Sequence, residues 1–222
     1  MPSKLINSIM DTQIWLKNFE KEYGSLLDVK TDHVKRKLIE GLYERKNGFI
    51  LIFNLLFQQK KENFQIIETG TVRNPKIWKD GNSGFLFSEM IKIYGGFVRS
   101  VDINQSAVDI ANNFIDQKNY KCYCSDSVEW LKSLNDLDKV DLFYLDSYDV
   151  KWQNDSLSAA HHLKEFQAIE KHLKTGCIVA IDDNSKFIEN NKRTGKGRMI
   201  YEYLESKKIF PVYDKYQIIY KF

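Results

Sequence analysis

The feature that most constrains the fold is a regular alternation of short apolar runs and longer amphipathic runs, which starts at Phe64. Strands separated by helices of this length are typical of a parallel, doubly wound α/β sheet. The short runs predict five strands, at residues 64–68, 96–102, 121–125, 140–146 and 177–182. The longer runs predict helices at residues 84–94, 105–117, 127–134 and 156–173.

Both ends of the chain depart from this alternation. A helix predicted near 196–206 is followed by strand-like runs at 209–213 and 217–222. A parallel crossover needs about a dozen residues, so two runs this close predict an antiparallel hairpin at one sheet edge. Residues 1–62 have helical apolar spacing. We therefore expect a seven-stranded Rossmann-like sheet in a domain of residues 63–222, preceded by an N-terminal helical extension or lid of residues 1–62.

An acidic residue follows each of the five predicted parallel strands, where an open α/β sheet binds its ligands. One such acid would be ordinary helix capping, but five converging on one edge predict a binding site. The acids are Glu68, Asp102, Asp126, Asp146 and the pair Asp182-Asp183.

The position of each residue suggests its role. Gly70 lets a ligand approach the backbone closely. Asp102 ends the second strand, where an acid can accept hydrogen bonds from two ribose hydroxyls. Asp126 and Ser127 are one strand further out and can reach an adenine amino group.

These residues resemble the class I S-adenosylmethionine-dependent methyltransferases over about residues 64–222. The resemblance implies S-adenosylmethionine as the cofactor. It is carried by Glu68-Thr69-Gly70-Thr71, by Asp102-Ile103 and by Asp126-Ser127, with Asp146 as a further expected contact. The first motif departs from the family's ExGxGxG, and a W-x-DGNS insertion at residues 78–83 follows it. Ser83 in that insertion either caps the next helix or contacts the methionine end of the cofactor.

The acids after the fourth and fifth strands also resemble those of metal-dependent O-methyltransferases. That resemblance implies a divalent ion, Mg²⁺ or Mn²⁺, held by Asp146, Asp182 and Asp183, since oxygen ligands suit these ions. Such an ion would lower the pKa of an acceptor hydroxyl. In the alternative, Asp146 contacts the cofactor and the other two acids cap the next loop.

Two histidines near the start of the helix at 156–173 are candidate general bases beside Asp146. His161 and His162 are adjacent, so we expect one to point to the site and the other outward. His162 shares a helical face with Glu165. Either histidine could equally be a packed side chain with a hydrogen-bond partner.

Three further features each have two interpretations. The segment 192–198 carries four cations around two glycines and either binds a phosphate or carboxylate or is a solvated loop. Tyr148 and Trp152 either line the acceptor pocket or pack. The N-terminal helices either cover that pocket or form a homodimer interface.

Composition limits the remaining classes of function. The formal net charge is only +3, and no Asn-Pro-Pro-Tyr or Asp-Pro-Pro-Tyr follows the fourth strand, so we expect no nucleic-acid partner. No apolar run is long enough to span a membrane and no signal peptide is visible. Three cysteines, Cys122, Cys124 and Cys177, do not resemble a disulfide framework, which favours a cytoplasmic location.

The leading hypothesis is methyl transfer from S-adenosylmethionine to a hydroxyl of a small molecule or sugar. A nicotinamide-dependent oxidoreductase is an alternative, but the GxGxxG that binds dinucleotide phosphates is missing. A non-catalytic module that binds the same cofactor is the other alternative.

Overall fold

The computed structural model describes residues 2–28, 45–78 and 82–222, with residues 2–11 as backbone alone. Residues 29–44 of the predicted N-terminal helical region, and residues 79–81 of the W-x-DGNS insertion, lie outside the described residues. The helices are α1 (Pro2–Leu27), α2 (Arg45–Gln58), α3 (Ser83–Tyr94), α4 (Gln105–Phe114), α5 (Ser127–Ser133), α6 (Ser156–Ile169) and α7 (Arg198–Ser206). The strands are β1 (Phe64–Thr69), β2 (Gly96–Asp102), β3 (Tyr120–Cys124), β4 (Leu142–Leu145), β5 (Ile178–Ile181), β6 (Asn184–Lys186), β7 (Arg193–Gly195), β8 (Tyr213–Asp214) and β9 (Ile218–Lys221).

The main sheet has seven strands in the order β3-β2-β1-β4-β5-β9-β8. Strands β1 to β5 are mutually parallel, whereas β9 runs antiparallel to both β5 and β8. The predicted doubly wound sheet with a terminal antiparallel hairpin is therefore confirmed. Because β9 pairs with β5, the hairpin extends the sheet and leaves β8 at its edge.

Helices cover both faces of the sheet, which explains why its central strands are almost continuously apolar. Successive residues of β4 point to opposite faces, as the pleat requires. Tyr144 packs in one buried cluster with Phe49, Phe53 and Phe87. Phe143 packs in the other cluster, with members that include Leu131, Phe166, Ile169 and Ile200.

The described N-terminal helices pack on the first of these clusters. Helix α2 buries Phe49, Ile52 and Phe53 against the sheet. Helix α1 covers α2 mainly through aromatic contacts, with the Trp15 ring centroid 4.8 Å from that of Phe53. Helix α2 is thus part of the same core as the sheet, and the predicted division at residues 62 and 63 stays a prediction.

Three local details differ from the sequence predictions. Strand β8 is shorter than the predicted run at 209–213, because Pro211 in that run has no N–H to donate to a ladder. Helix α6 ends at Ile169 and continues as a single 3₁₀ turn, Glu170–His172. A small antiparallel hairpin, β6–β7, lies in what was predicted to be a loop.

Among the described helices, none is both long enough and apolar enough to cross a membrane. The three cysteines are unpaired, with Cys122 and Cys177 buried and Cys124 exposed.

Candidate active site

The carboxyl ends of β1 to β5 bring the predicted site residues to one edge of the sheet. The order of strands reverses between β1 and β4, the position at which open α/β sheets bind ligands. Gly70 follows β1 and Asp146 follows β4, so these two residues flank the reversal. Asp102 ends the neighbouring strand β2, and Asp182 follows β5 on the other side.

Gly70 is required by the close approach of two chain segments at this point. Its φ is +84°, which L side chains rarely adopt, and its amide donates to the carbonyl of Val101 at 2.8 Å. A Cβ placed on Gly70 would lie 2.5 Å from the backbone oxygen of Asp146. The single glycine retained from the motif therefore lets the β1 and β4 loops pack directly against each other.

Glu68 is buried beneath this loop rather than exposed in the cleft. Its carboxylate accepts hydrogen bonds from the hydroxyls of Ser83 and Ser100. Burial raises its pKa to about 7, although both hydroxyl donors oppose the rise. The Ser83 hydroxyl contacts Glu68, while Asn82 occupies the cap position of α3, so the helix-capping interpretation of Ser83 is wrong.

The cofactor side of the edge is more open. Asp102 is half-buried and accepts from the backbone N–H of Asn104 at 2.8 Å. Ile103 beside it leaves 76% of its surface exposed. Asp126 caps helix α5 by accepting from the backbone N–H of Glu129 at 3.0 Å.

A second buried carboxylate, Glu165 of α6, lies under the same edge. It accepts hydrogen bonds from the hydroxyls of Thr69, Ser127 and Ser147, at 3.2 Å from Thr69 and 2.7 Å from Ser147. His161 Nε2 lies 3.3 Å from the carboxylate. Burial opposes ionisation of Glu165, yet the two neighbouring histidines and the Ser127 hydroxyl lower its pKa to about 2. The hydroxyl of Thr71, the last residue of the motif that begins at Glu68, forms a 2.7 Å hydrogen bond with the hydroxyl of Tyr120.

The two histidines differ in accessibility. His161 keeps 21% of its side chain exposed, and its hydrogen bond with Glu165 raises its pKa. His162 is fully buried, donates from Nδ1 to the Ser158 carbonyl at 2.7 Å, and has a pKa lowered to about 4 by burial. The expectation that one histidine points outward is wrong, since both lie against Glu165 because positions i+3 and i+4 face the same side.

The three acids predicted to bind a metal do come together, but two buried cations lie among them. Lys196 Nζ contacts the Asp146 carboxylate and lies 2.8 Å from Asp183 Oδ2. Arg45 Nη2 lies 2.7 Å from Asp182 Oδ2 and 4.0 Å from Asp146 Oδ2. We call these five residues the ion cluster.

Burial and the neighbouring charges shift the pKa values of the ion cluster in different directions. Burial raises the pKa of Asp146 and of Asp182, because removal from water disfavours a carboxylate. Burial acts the same way on Asp183, but Lys196 outweighs it and lowers that pKa. Burial disfavours the charge on Lys196, and its two carboxylate partners more than restore it, so its pKa is raised.

The ion cluster does not fit a divalent metal as the side chains are arranged. Among the described residues, no group of three or more His, Cys, Asp or Glu side chains is arranged to hold a metal ion. Mg²⁺ requires near-octahedral oxygen ligands at about 2.1 Å. Asp146 and Asp183 direct oxygens at Lys196 instead, and Asp182 directs one at Arg45.

The basic segment at 192–198 is largely neutralised within the protein. Arg193 forms a two-point ion pair with Asp214, and Arg198 forms another with Asp155. Together with Lys196, this pairs three of its four cations with carboxylates of the protein, and burial of Thr194 and Lys196 contradicts a solvated loop.

The two aromatic residues of the β4 loop have different environments. Trp152 is buried against Tyr216, so it packs rather than lines an open pocket. Tyr148 is exposed, and its ring centroid lies 5.6 Å from that of His161.

No protein-family model and no curated protein sequence matches the chain. Solved structures do. CalS11, described as a calicheamicin methyltransferase, superposes with a TM-score of 0.51 at 14% identity, over 96% of this chain and 92% of CalS11. Its apo structure, described as TDP-rhamnose 3'-O-methyltransferase, gives a TM-score of 0.50 at 14% identity, over 96% of this chain and 94% of that one.

The chain has the fold of the class I S-adenosylmethionine-dependent methyltransferases. MycE, a methyltransferase crystallised with Mg and SAH, also matches, with a TM-score of 0.40 at 17% identity, over 59% of this chain. The chain spans only 30 to 39% of the MycE chains it matches.

Within this methyltransferase fold, three residues of the site were missed by reasoning from the sequence. Arg45 lies in a helical stretch with no motif, and no sequence signal separates it from the other cations there. Lys196 is set between two glycines, which signals close packing of the backbone. Glu165 was noted only as the helical neighbour of His162, although a carboxylate on an apolar helix face is itself a signal of a buried partner.

Proposed function

We propose that this protein transfers a methyl group from S-adenosylmethionine to a hydroxyl group of a small molecule or sugar. The observation that carries the proposal is the arrangement at the strand reversal. Gly70 and Asp146 flank it, and Asp102 lies two strand positions away from Asp146, at the end of β2. In this fold that arrangement suits a nucleoside on one side of the reversal and an acceptor on the other.

The residues on the β1–β3 side fit the nucleoside half of the cofactor. Asp102 would accept hydrogen bonds from the ribose hydroxyls, and the exposed side chain of Ile103 would cover one face of the adenine. Asp126 and Ser127 would lie at the amino edge of the base, while Thr69, Gly70 and Thr71 would supply backbone contacts. Glu68 and Ser83 would support the cofactor site indirectly, because their mutual hydrogen bond holds α3 against β1.

The ion cluster on the β4–β5 side fits an acceptor hydroxyl. Asp146 and Asp183 keep 15% and 25% of their side chains exposed, so their oxygens can be reached from the cleft. S-adenosylmethionine supplies a methyl group already activated on a positively charged sulfur. The Asp146 carboxylate would accept a hydrogen bond from the acceptor hydroxyl and align its oxygen, and alignment supplies much of the acceleration.

The transfer balances without an additional reactant. A carbon–oxygen bond forms to the acceptor as the carbon–sulfur bond breaks, and the electron pair of that bond returns to sulfur. The products are a methyl ether, S-adenosylhomocysteine and the proton of the hydroxyl. His161, which is partly exposed, would receive that proton through water, whereas buried His162 would act only as a packing partner.

Two features support a sugar or a similar small acceptor. Tyr148 presents an exposed aromatic ring next to His161, and aromatic rings pack well against the apolar faces of sugars. CalS11, which has the same fold, is described as a TDP-rhamnose 3'-O-methyltransferase. We propose no role for Mg²⁺ or Mn²⁺ in this reaction, since the carboxylates that would bind the ion are engaged by Lys196 and Arg45.

The test is a methyl-transfer assay with S-adenosylmethionine labelled on its methyl group and a panel of sugar nucleotides and glycosides. We expect label in one acceptor class, with one S-adenosylhomocysteine formed per methyl transferred. Asp146→Asn should reduce transfer at least tenfold, whereas Asp149→Asn, an exposed acid of the same loop, should not. Turnover of a nicotinamide cofactor with no methyl transfer would favour the oxidoreductase, and binding of the cofactor without turnover would favour the non-catalytic module.

A further inference from the structure

The ammonium group of Lys196 lies between the two accessible carboxylates of the ion cluster, the position that a bridging cation would take. Only 2% of its side chain is exposed. Nζ contacts Asp146 and Asp183, and it also lies 3.4 Å from the backbone oxygen of Asp146. A lysine buried this deeply is stable only when its charge is paired, which both carboxylates provide.

The backbone on either side of Lys196 is fixed by specific contacts. The N–H of Gly195 donates to Asp155 at 2.9 Å, and the N–H of Gly197 donates to Asn184 at 2.7 Å. The N–H of Lys196 itself donates to the backbone oxygen of Asp183 at 3.1 Å. The β6–β7 hairpin therefore holds this one lysine at a defined depth under the cleft.

The other oxygens of Asp183 and Asp182 differ in their environments. Asp183 Oδ1 accepts from the hydroxyl of Tyr216. Asp182 Oδ2 pairs with Arg45, whereas Asp182 Oδ1 is buried without a hydrogen-bond partner. A divalent ion bound between Asp146 and Asp183 would thus have to displace Lys196.

The total charge leads to the same conclusion. With all three carboxylates ionised, Asp146, Asp182 and Asp183 together with Lys196 and Arg45 carry one net negative charge. The same three carboxylates with one divalent ion would carry one net negative charge as well. The two side chains therefore supply the compensation that a metal would supply.

We propose that Lys196, supported by Arg45, replaces the divalent cation at this site, so that acceptor methylation needs no metal. This inference rests on the proposed function for its acceptor. Lys196 is a positioning residue: it holds the carboxylates of Asp146 and Asp183 in fixed directions, and these orient the acceptor hydroxyl. The acceptor would consequently be bound through a neutral hydroxyl that donates to the carboxylates. It would not need two adjacent oxygens to bind a metal ion.

The first test measures Mn²⁺ binding by electron paramagnetic resonance, which requires no substrate. Wild-type protein should leave Mn²⁺ free up to about millimolar concentration. Lys196→Met, which removes the ammonium group and keeps an unbranched side chain one atom shorter, should bind one Mn²⁺ at least tenfold more tightly than wild type. Lys186→Met serves as the matched control, since Lys186 lies on the same hairpin and is partly exposed. It should behave as wild type.

Stoichiometric, micromolar binding of Mn²⁺ by wild-type protein would overturn the proposal. This measurement does not depend on whether any variant folds. Methyl transfer by wild type should be unchanged by a chelator, whereas Lys196→Met should lose at least tenfold in rate and recover part of it with Mg²⁺ or Mn²⁺. A purely structural role for Lys196 would give the loss without metal-dependent recovery, which also contradicts the proposal. S-adenosylhomocysteine binding is measured separately, so its absence would reject the methyltransferase function and leave the Mn²⁺ result standing.

Discussion

The hydroxyl of Ser100 on β2 donates a 2.5 Å hydrogen bond to the carboxylate of Glu68 on the neighbouring strand β1. The two residues are register partners in the parallel sheet. Ser83 donates to the other oxygen, so Glu68 joins β1, β2 and α3 below the loop of Gly70. A residue that sequence reasoning assigned to the cofactor thus also holds the floor of the site together.

Glu68→Gln should change how stability depends on pH. Burial raises the pKa of Glu68 to about 7 from 4.5, so the folded protein binds this proton more tightly than the unfolded chain. The free energy of unfolding therefore falls as pH rises through this window. Relative to wild type, the variant should gain about 2 to 3 kcal/mol of stability between pH 5 and pH 8. Urea unfolding at both pH values measures this difference.

The control for Glu68→Gln is Glu129→Gln, which changes an exposed carboxylate on α5. Its stability difference from wild type should stay within about 0.5 kcal/mol over the same pH range. A Glu68→Gln difference that is equally flat would show that the carboxylate is not protonated at neutral pH in the folded protein.

Glu165→Gln should change the pH dependence of stability in the direction opposite to that of Glu68→Gln. Hydrogen bonds and the two histidines lower the pKa of Glu165 to about 2, although burial opposes them. Its contribution to stability is present above about pH 4.5 and is lost as pH falls toward 2. Wild type should therefore lose about 2 kcal/mol relative to the variant between pH 6 and pH 3. Urea unfolding checks this, and a difference that does not change with pH would contradict it.

Gly195→Ala should destabilise the hairpin that carries Lys196. Gly195 has φ +117°, and an added Cβ would lie 2.2 Å from the backbone oxygen of Asp183. Gly176→Ala is the matched control, because Gly176 also has positive φ but has nothing within 4 Å of the new Cβ. The control should cost about 1 to 2 kcal/mol through backbone strain alone. Gly195→Ala should cost more in urea unfolding, and equal costs would show that the hairpin accommodates the methyl group.

The sheet could be predicted from the sequence because its signals are local. Each parallel strand is a short apolar run bounded by a helix, and the closeness of the last two strands leaves only a hairpin. The predicted strand at 209–213 was less accurate. Its apolar pattern continues through Pro211, but Pro211 has no N–H to donate, and β8 is only Tyr213–Asp214.

The chemistry of the ion cluster could be predicted only in part. Asp146, Asp182 and Asp183 lie next to one another because β4 and β5 are neighbours, which topology alone dictates. Their partners come from far away in the sequence: Arg45 from a helix before the sheet, and Lys196 from a hairpin after it. Convergence of acids therefore suggested a metal, whereas the charges that neutralise them depend on tertiary contacts that have no local pattern.

Calorimetric titration with S-adenosylhomocysteine, compared for wild type, Asp102→Ala and Asp109→Ala, tests whether this sheet edge binds the cofactor. Asp109 is an exposed acid on α4, the helix that follows Asp102 in the chain, and it serves as the control. We predict micromolar binding to wild type and to Asp109→Ala. Loss of the charged hydrogen bond to the ribose should weaken binding to Asp102→Ala by about 1.5 to 3 kcal/mol, which is roughly 10- to 150-fold. No binding to wild type, or equal affinity for all three proteins, would contradict the assignment of this sheet edge as the cofactor site.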